Sequence, residues 1–171
     1  MNKLTIQEYQ KLAKRTCPSL GDKDKDLLHM EMGVITEIGE IIDIQKKELA
    51  YKKPIDLIHL KEELGDLMWY IANWATFEII ELNQDEVMVA WFADNNLYNC
   101  LKHTITNLED GEYNLNDLAA LVEAVCINSN LVFEEVLYTN IEKLKKRYPD
   151  GFNEESALNR DLDTERKILE S

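Results

Sequence analysis

An all-α fold follows from three features of this sequence. Helix breakers are scarce, with six Gly and three Pro in 171 residues, too few for a turn-rich β architecture. Apolar residues recur at three- and four-residue steps over long stretches. Within those stretches lie two acidic pairs, Glu37-Ile38-Gly39-Glu40 and Glu63-Leu64-Gly65-Asp66. On a helix a three-residue step leaves two side chains about 60° apart on one face. The length suits one helical-bundle domain with a single core.

The elements can be justified in order. Residues 5–16 read as a short amphipathic helix with Ile6, Tyr9, Leu12 and Ala13 on one side. Thr5 is its N-cap and Glu8 completes a capping box. Cys17-Pro18-Ser19-Leu20-Gly21 ends it. The spacing then predicts a helix over 25–50, started by the mixed-charge run 22–26. On its wheel Val34, Ile35, Ile41, Ile42 and Leu49 fall within about 60° of Ile38, which marks them as the core stripe. Glu37, Glu40 and Gly33 lie to one side. Gly33 and Gly39 each cost about 1 kcal/mol relative to Ala, a cost usually offset by close packing. Four lysines (46, 47, 52 and 53) and Pro54 close the segment.

A third helix is predicted over 56–80. Leu57, Leu60, Leu64, Leu67, Met68, Ile71 and Ala75 make its apolar face. The opposite face holds His59, Glu62, Glu63, Asp66, Trp69, Tyr70, Asn73 and Phe77. Acids followed by aromatics suit a nucleotide, with phosphates on a metal and the base on rings. Residues 83–128 read as a hairpin of two helices, over 85–106 and 116–126. A last helix is predicted over 131–148, with Asn140, Lys143 and Arg147 on one stripe. The tail, 152–171, lacks an apolar face until Ile168 and Leu169.

The bulk numbers narrow the function. A net charge of −14 argues against nucleic acid or an anionic membrane as partner, but not against nucleotides, since a metal can invert the local field. Cys17, Cys100 and Cys126 are widely spaced, and the reading is a reduced cytoplasmic protein with incidental thiols. No apolar run approaches the roughly 18 residues that span a bilayer. Four carboxylates on two packed helices repel one another unless a cation compensates, and hard dications take oxygen ligands. Mg²⁺ is therefore the expected metal, with Mn²⁺ the alternative. Either acidic pair alone would be read as solvated surface, and His29 and His59 as local hydrogen-bond partners. Trp69 and Tyr70 suit a packed helix contact as well as a stacking role, and Trp74 and Trp91 suit core or interface. Asp43, three residues beyond Glu40, extends the acidic face.

Three blocks of text resemble the MazG-like all-α nucleoside triphosphate pyrophosphohydrolases: 28–40, with Glu37 and Glu40; 62–70, with Glu63 and Asp66; and 140–149, with Asn140, Lys143 and Arg147. In the compact form of that family the second block runs almost directly into the third. The core here would then be about 1–80 and 129–150, with the hairpin of 83–128 inserted and a charged tail at 151–171. The resemblance implies Mg²⁺-dependent cleavage of a (d)NTP to (d)NMP and pyrophosphate. It makes Glu37, Glu40, Glu63 and Asp66 the metal ligands, with Glu37 or Glu40 also a candidate base. It places Asn140 and Lys143 against phosphate or sugar, and Tyr70 and Trp69 on the nucleotide side. Asn73 shares that face, and Lys143 and Arg147 would steady charge on the departing pyrophosphate. Thr36 stands where the family often has a further Glu, and Thr36 cannot act as a base. A homodimer or homotetramer is also implied. Two rivals come from other classes. A carboxylate-bridged di-iron bundle needs Glu-x-x-His on two helices, and the sequence has none. A non-catalytic acidic partner protein would not respond to Mg²⁺ and nucleotide. No P-loop motif occurs.

Overall fold

The computed structural model describes residues 3–159 and 161–170, and among them there is helix and no strand. α1 (Ile6–Ala13) opens on the Thr5–Glu8 capping box and runs into a 3₁₀ turn over Lys14–Thr16. α2 (Lys23–Tyr51) starts at Asp22, whose side chain accepts from the Asp24 and Lys25 amides. α3 (Leu57–Glu78) starts at Asp56, which caps the Ile58 and His59 amides in the same way. α2 lies along α3, and α3 is also flanked by α1, by α6 (Leu115–Asn128) and by α7 (Phe133–Arg147). Met30, Val34, Ile38, Leu64, Leu67, Met68 and Ile71 fill the space between them. Gln10 ties the end of α3 to the rest, donating to the Ile80 carbonyl and accepting from the Leu82 amide.

Two glycines let α3 come close to its neighbours. A Cβ at Gly33 would lie 2.1 Å from the Tyr70 ring, and one at Gly65 would lie 2.9 Å from Asn140. Gly33→Ala must therefore displace Tyr70, a half-buried ring. Overpacking of this kind costs about 1–3 kcal/mol, and the expected result is a lower midpoint of thermal unfolding in a circular dichroism melt.

The structure departs from the sequence expectations in three places. The helix expected over 85–106 is two, α4 (Glu86–Ala93) and α5 (Leu97–Glu109). Asp94-Asn95-Asn96 separates them because short polar side chains divert the backbone: Asn95 donates to the Trp91 carbonyl and Asn96 caps the Asn99 amide. The segment is thus a three-helix unit in which α4 packs on α6. The tail forms α8 (Glu154–Leu158) and α9 (Leu162–Glu170). α9 docks on α3 and α7 through buried Leu169, a Lys61 bond to the Leu169 carbonyl, and Arg147–Glu165. On α2, Ile35 and Leu49 are exposed, and so is Leu57 on α3, so none of the three is core. Trp74 is core, whereas Trp91 is nearly half exposed.

Candidate functional site

Three of the four carboxylates meet where α2 faces α3. Glu37 hydrogen-bonds to Glu63, and the charge of Asp66 acts on both. Burial, then the bond to Glu63, then the negative Asp66 and Glu63 push the Glu37 carboxyl up to about 9, against the pull of Lys143. Burial chiefly raises Glu63 as well. Glu37 is therefore the protonated partner, donating to the Glu63 carboxylate. Glu63 also meets His59, whose Nε2 lies 2.8 Å from Oε1. Glu40 is not part of the cluster. It is exposed, and its charge acts on Lys47 further along α2. Asp43 is likewise taken up by Lys46 and Lys47.

Asp66 is held from behind. Lys143 Nζ lies 2.7 Å from each Asp66 oxygen and 3.4 Å from Glu62 Oε1, with its side chain fully buried. Asn140 Nδ2 donates to Asp66 Oδ1 at 2.8 Å, and the Tyr9 hydroxyl donates to Asn140 Oδ1 at 2.8 Å. Lys143 and Asn140 thus reach the site through Asp66, behind the cleft wall. Tyr9, on α1, was not singled out by its sequence context beyond its apolar side. A buried tyrosine needs a partner for its hydroxyl, and that need is the one signal of the network its sequence carries.

In front of the acids lies a cleft of about 270 Å³. Glu37 and Asp66 form its floor, Trp69, Tyr70, His29, Tyr148 and Phe152 its aromatic walls, and Arg147 its cationic edge. Trp69 and Tyr70 meet edge to face at 5.0 Å, and Trp69 Nε1 donates to Thr16 Oγ1 at 2.9 Å, which fixes both rings. Burial first, then the neighbouring acids Glu37 and Asp66, push the Tyr70 phenol up to about 12, so it remains a donor at neutral pH. His29 packs edge-on against Tyr70, and its buried Nδ1 has no hydrogen-bond partner among the described residues. Arg147 is gripped by Glu165 of α9 through two bonds of 2.8 and 2.6 Å. Asn73 is buried outside the cleft lining and donates to the Trp69 carbonyl, so it supports that ring's backbone rather than facing a ligand.

Among the described residues no group of three or more His, Cys, Asp or Glu side chains is placed so that it could hold a metal ion as it stands. The donor set nevertheless suits a hard dication. It is all carboxylate, it comes from two helices, and one member keeps a proton because of burial first and its acidic neighbours next. Chemically, a lining of this kind would suit a polyanion that brings its own cation, with Arg147 as a further positive group and rings for a flat moiety.

No protein-family model and no solved structure matches the chain. The Gene 37 protein of Mycobacterium phage L5 is similar to it, 35% identical over 100 residues that make up 54% of this chain and 82% of that protein. On that extent of shared sequence, the chain belongs to the family of the phage L5 Gene 37 protein.

Proposed function

We propose that this protein is a MazG-like nucleoside triphosphate pyrophosphohydrolase, cleaving a (d)NTP to the monophosphate and pyrophosphate. The observation that carries the reading is the carboxyl cluster of Glu37, Glu63 and Asp66, of which Glu37 and Asp66 line a cleft that combines aromatic walls with Arg147. Acids alone would suit any cation, and rings alone any flat ligand. Their juxtaposition within one cleft suits a nucleotide that carries its own metal.

Glu37, Glu63 and Asp66 would hold Mg²⁺, or Mn²⁺ in its place. The metal, when bound, supplies charge neutralisation for the triphosphate and orientation of the attacking water. Glu37, which would give up its own proton as the cation binds, is the candidate to accept one from that water. Trp69, Tyr70 and His29 flank the base. Arg147 binds phosphate oxygens from the opposite edge. Lys143 bonds both Asp66 oxygens and Asn140 bonds Oδ1, a positioning role in place of the direct phosphate contact expected of them.

The test is a screen of the purified chain against common and damaged (deoxy)nucleoside triphosphates, read as pyrophosphate release. At least one substrate should be turned over with Mg²⁺ or Mn²⁺, and chelation should stop it. If no nucleotide is consumed under either metal, the acidic helical partner protein becomes the better account.

A further inference from the structure

A second cavity, of about 460 Å³, lies in the three-helix unit, lined from α4, α5, the loop after α5 and the start of α6. It shares no lining residue with the cleft above. Its volume suits a small organic molecule. Trp91, Phe92 and Tyr113 give it aromatic walls. Phe92 and His103 meet Trp91 edge to face at 5.1 and 6.3 Å, and Trp74 backs Tyr113 at 4.6 Å, so both rings are held. Trp91 and Tyr113 nevertheless remain 45% and 39% exposed, which leaves ring surface for something outside the chain to cover.

The polar lining says what that is. Asp117 makes no hydrogen bond or ion pair among the described residues. It stands in the first turn of α6, where the helix dipole favours an acid. Burial first, and then the negative Asp85, still hold its carboxyl above the usual carboxylate range. Thr104 is only 5% exposed, and its hydroxyl has no hydrogen-bond partner among the described residues. The side-chain amide of Asn107, one turn further along α5, has none there either. Enclosed polar groups without partners are costly, and a ligand that satisfies them removes the cost.

Charge selects the ligand. Glu112 adds a second acid to the lining, and neither lysine nor arginine contributes to it. Such a lining disfavours an anion and favours a cation, and so do aromatic faces. A primary ammonium has three N–H donors, and Asp117, Thr104 and Asn107 each offer an oxygen acceptor. We propose that this cavity binds an organic cation, a protonated amine on an aromatic body, with its ammonium on Asp117, Thr104 and Asn107 and its ring against Trp91 and Tyr113.

The three tryptophans report on three places: Trp91 on this cavity, Trp69 on the cleft and Trp74 on the core. Their indole N–H signals, followed by heteronuclear NMR on the full chain with chelator at neutral pH, show where a probe binds. Phenethylamine should move the Trp91 signal saturably, with half-saturation at about 1 mM or below, and leave Trp69 in place. 2-Phenylethanol, the same body without the charge, should bind at least about tenfold more weakly. Asp117→Asn should weaken the amine by a similar factor with the rest of the spectrum unchanged. A Trp91 signal indifferent to the amine overturns the proposal, and so does a Trp69 signal that moves in its place. Equal binding of alcohol and amine, or full amine affinity in Asp117→Asn, overturns the recognition of a cation. None of these readouts needs turnover, so the proposal succeeds or fails apart from the pyrophosphohydrolase reading.

Discussion

Asp66→Asn should destabilise the fold by about 3–5 kcal/mol, toward the lower end of that range, as well as ending pyrophosphate release. Lys143 is the reason. Its side chain is fully buried, and both of its short contacts are to Asp66. Once the carboxylate is gone, the ammonium is left with Glu62, at 3.4 Å, as its remaining ion pair among the described residues. The reverse substitution is milder, because the Asp66 side chain is 26% exposed and keeps its bond from Asn140. Lys143→Met should therefore cost less than Asp66→Asn, and the double variant should regain much of the stability lost by the single Asp66 change. Replacing a buried pair whole is often close to neutral, whereas stranding one charge is not. Chemical denaturation of the four proteins gives the coupling directly. Additive losses, with no recovery in the double variant, would show that Asp66 and Lys143 do not act as a pair. Both single variants should be poor catalysts, so stability and activity separate on Lys143→Met.

The parts of the fold that were legible in the sequence are those set by local chemistry. Thr5 with Glu8, Asp22 and Asp56 each stop or start a helix through bonds to backbone amides two or three residues away. Linear text encodes such bonds. It also contained the break at Asp94-Asn95-Asn96, but the apolar periodicity on either side runs through it in phase and hides it. α2 was ambiguous for a deeper reason. Its two apolar faces have the same helical period, so Ile35 and Leu49 looked like core beside Ile38. Periodicity reports that a face is to be covered, and does not report by what.

The site divides along the same line. Glu37, Glu63 and Asp66 could be picked out because pairs at a three-residue step share a helix face. The same step carries Glu40 about 60° further round, enough to leave it on the surface beside Lys47. Asn73 shares a wheel face with Trp69 and Tyr70, yet it is buried behind the former. The contacts that finish the site are all non-local. Tyr9 reaches Asn140 across 131 residues, Asn140 reaches Asp66 across 74, and Arg147 meets Glu165 from the tail. No spacing rule connects positions so far apart, and they become visible only once the helices are placed.

Glu37→Gln should do opposite things to stability and to function. In the folded chain the Glu37 carboxyl is pushed up to about 9, by burial first and by Glu63 and Asp66 next, whereas in an unfolded chain a glutamate titrates near about 4.3. Between those values the folded state holds a proton that the unfolded state has released. The stabilisation is thus complete below the unfolded value and is lost as pH rises toward 9. Glutamine has no proton to lose, and its amide can donate to Glu63 as the protonated acid does. The metal-free variant should therefore melt above the wild type at pH 8, by about 2–4 °C for each kcal/mol gained, and the gap should close as pH is lowered toward 5. With Mg²⁺ the order should reverse. A cation can replace the Glu37 proton in the wild type and gain a ligand, a stabilisation that grows with metal concentration, whereas the variant has no third carboxylate to offer. Pyrophosphate release should fall by about 10²- to 10⁴-fold, the range for loss of a general base. Melting curves at pH 5 and pH 8, with chelator and with Mg²⁺, test the whole argument. A metal-free variant less stable than wild type at pH 8 would show that Glu37 is not carrying a trapped proton. A variant that keeps full activity would take Glu37 out of the reaction.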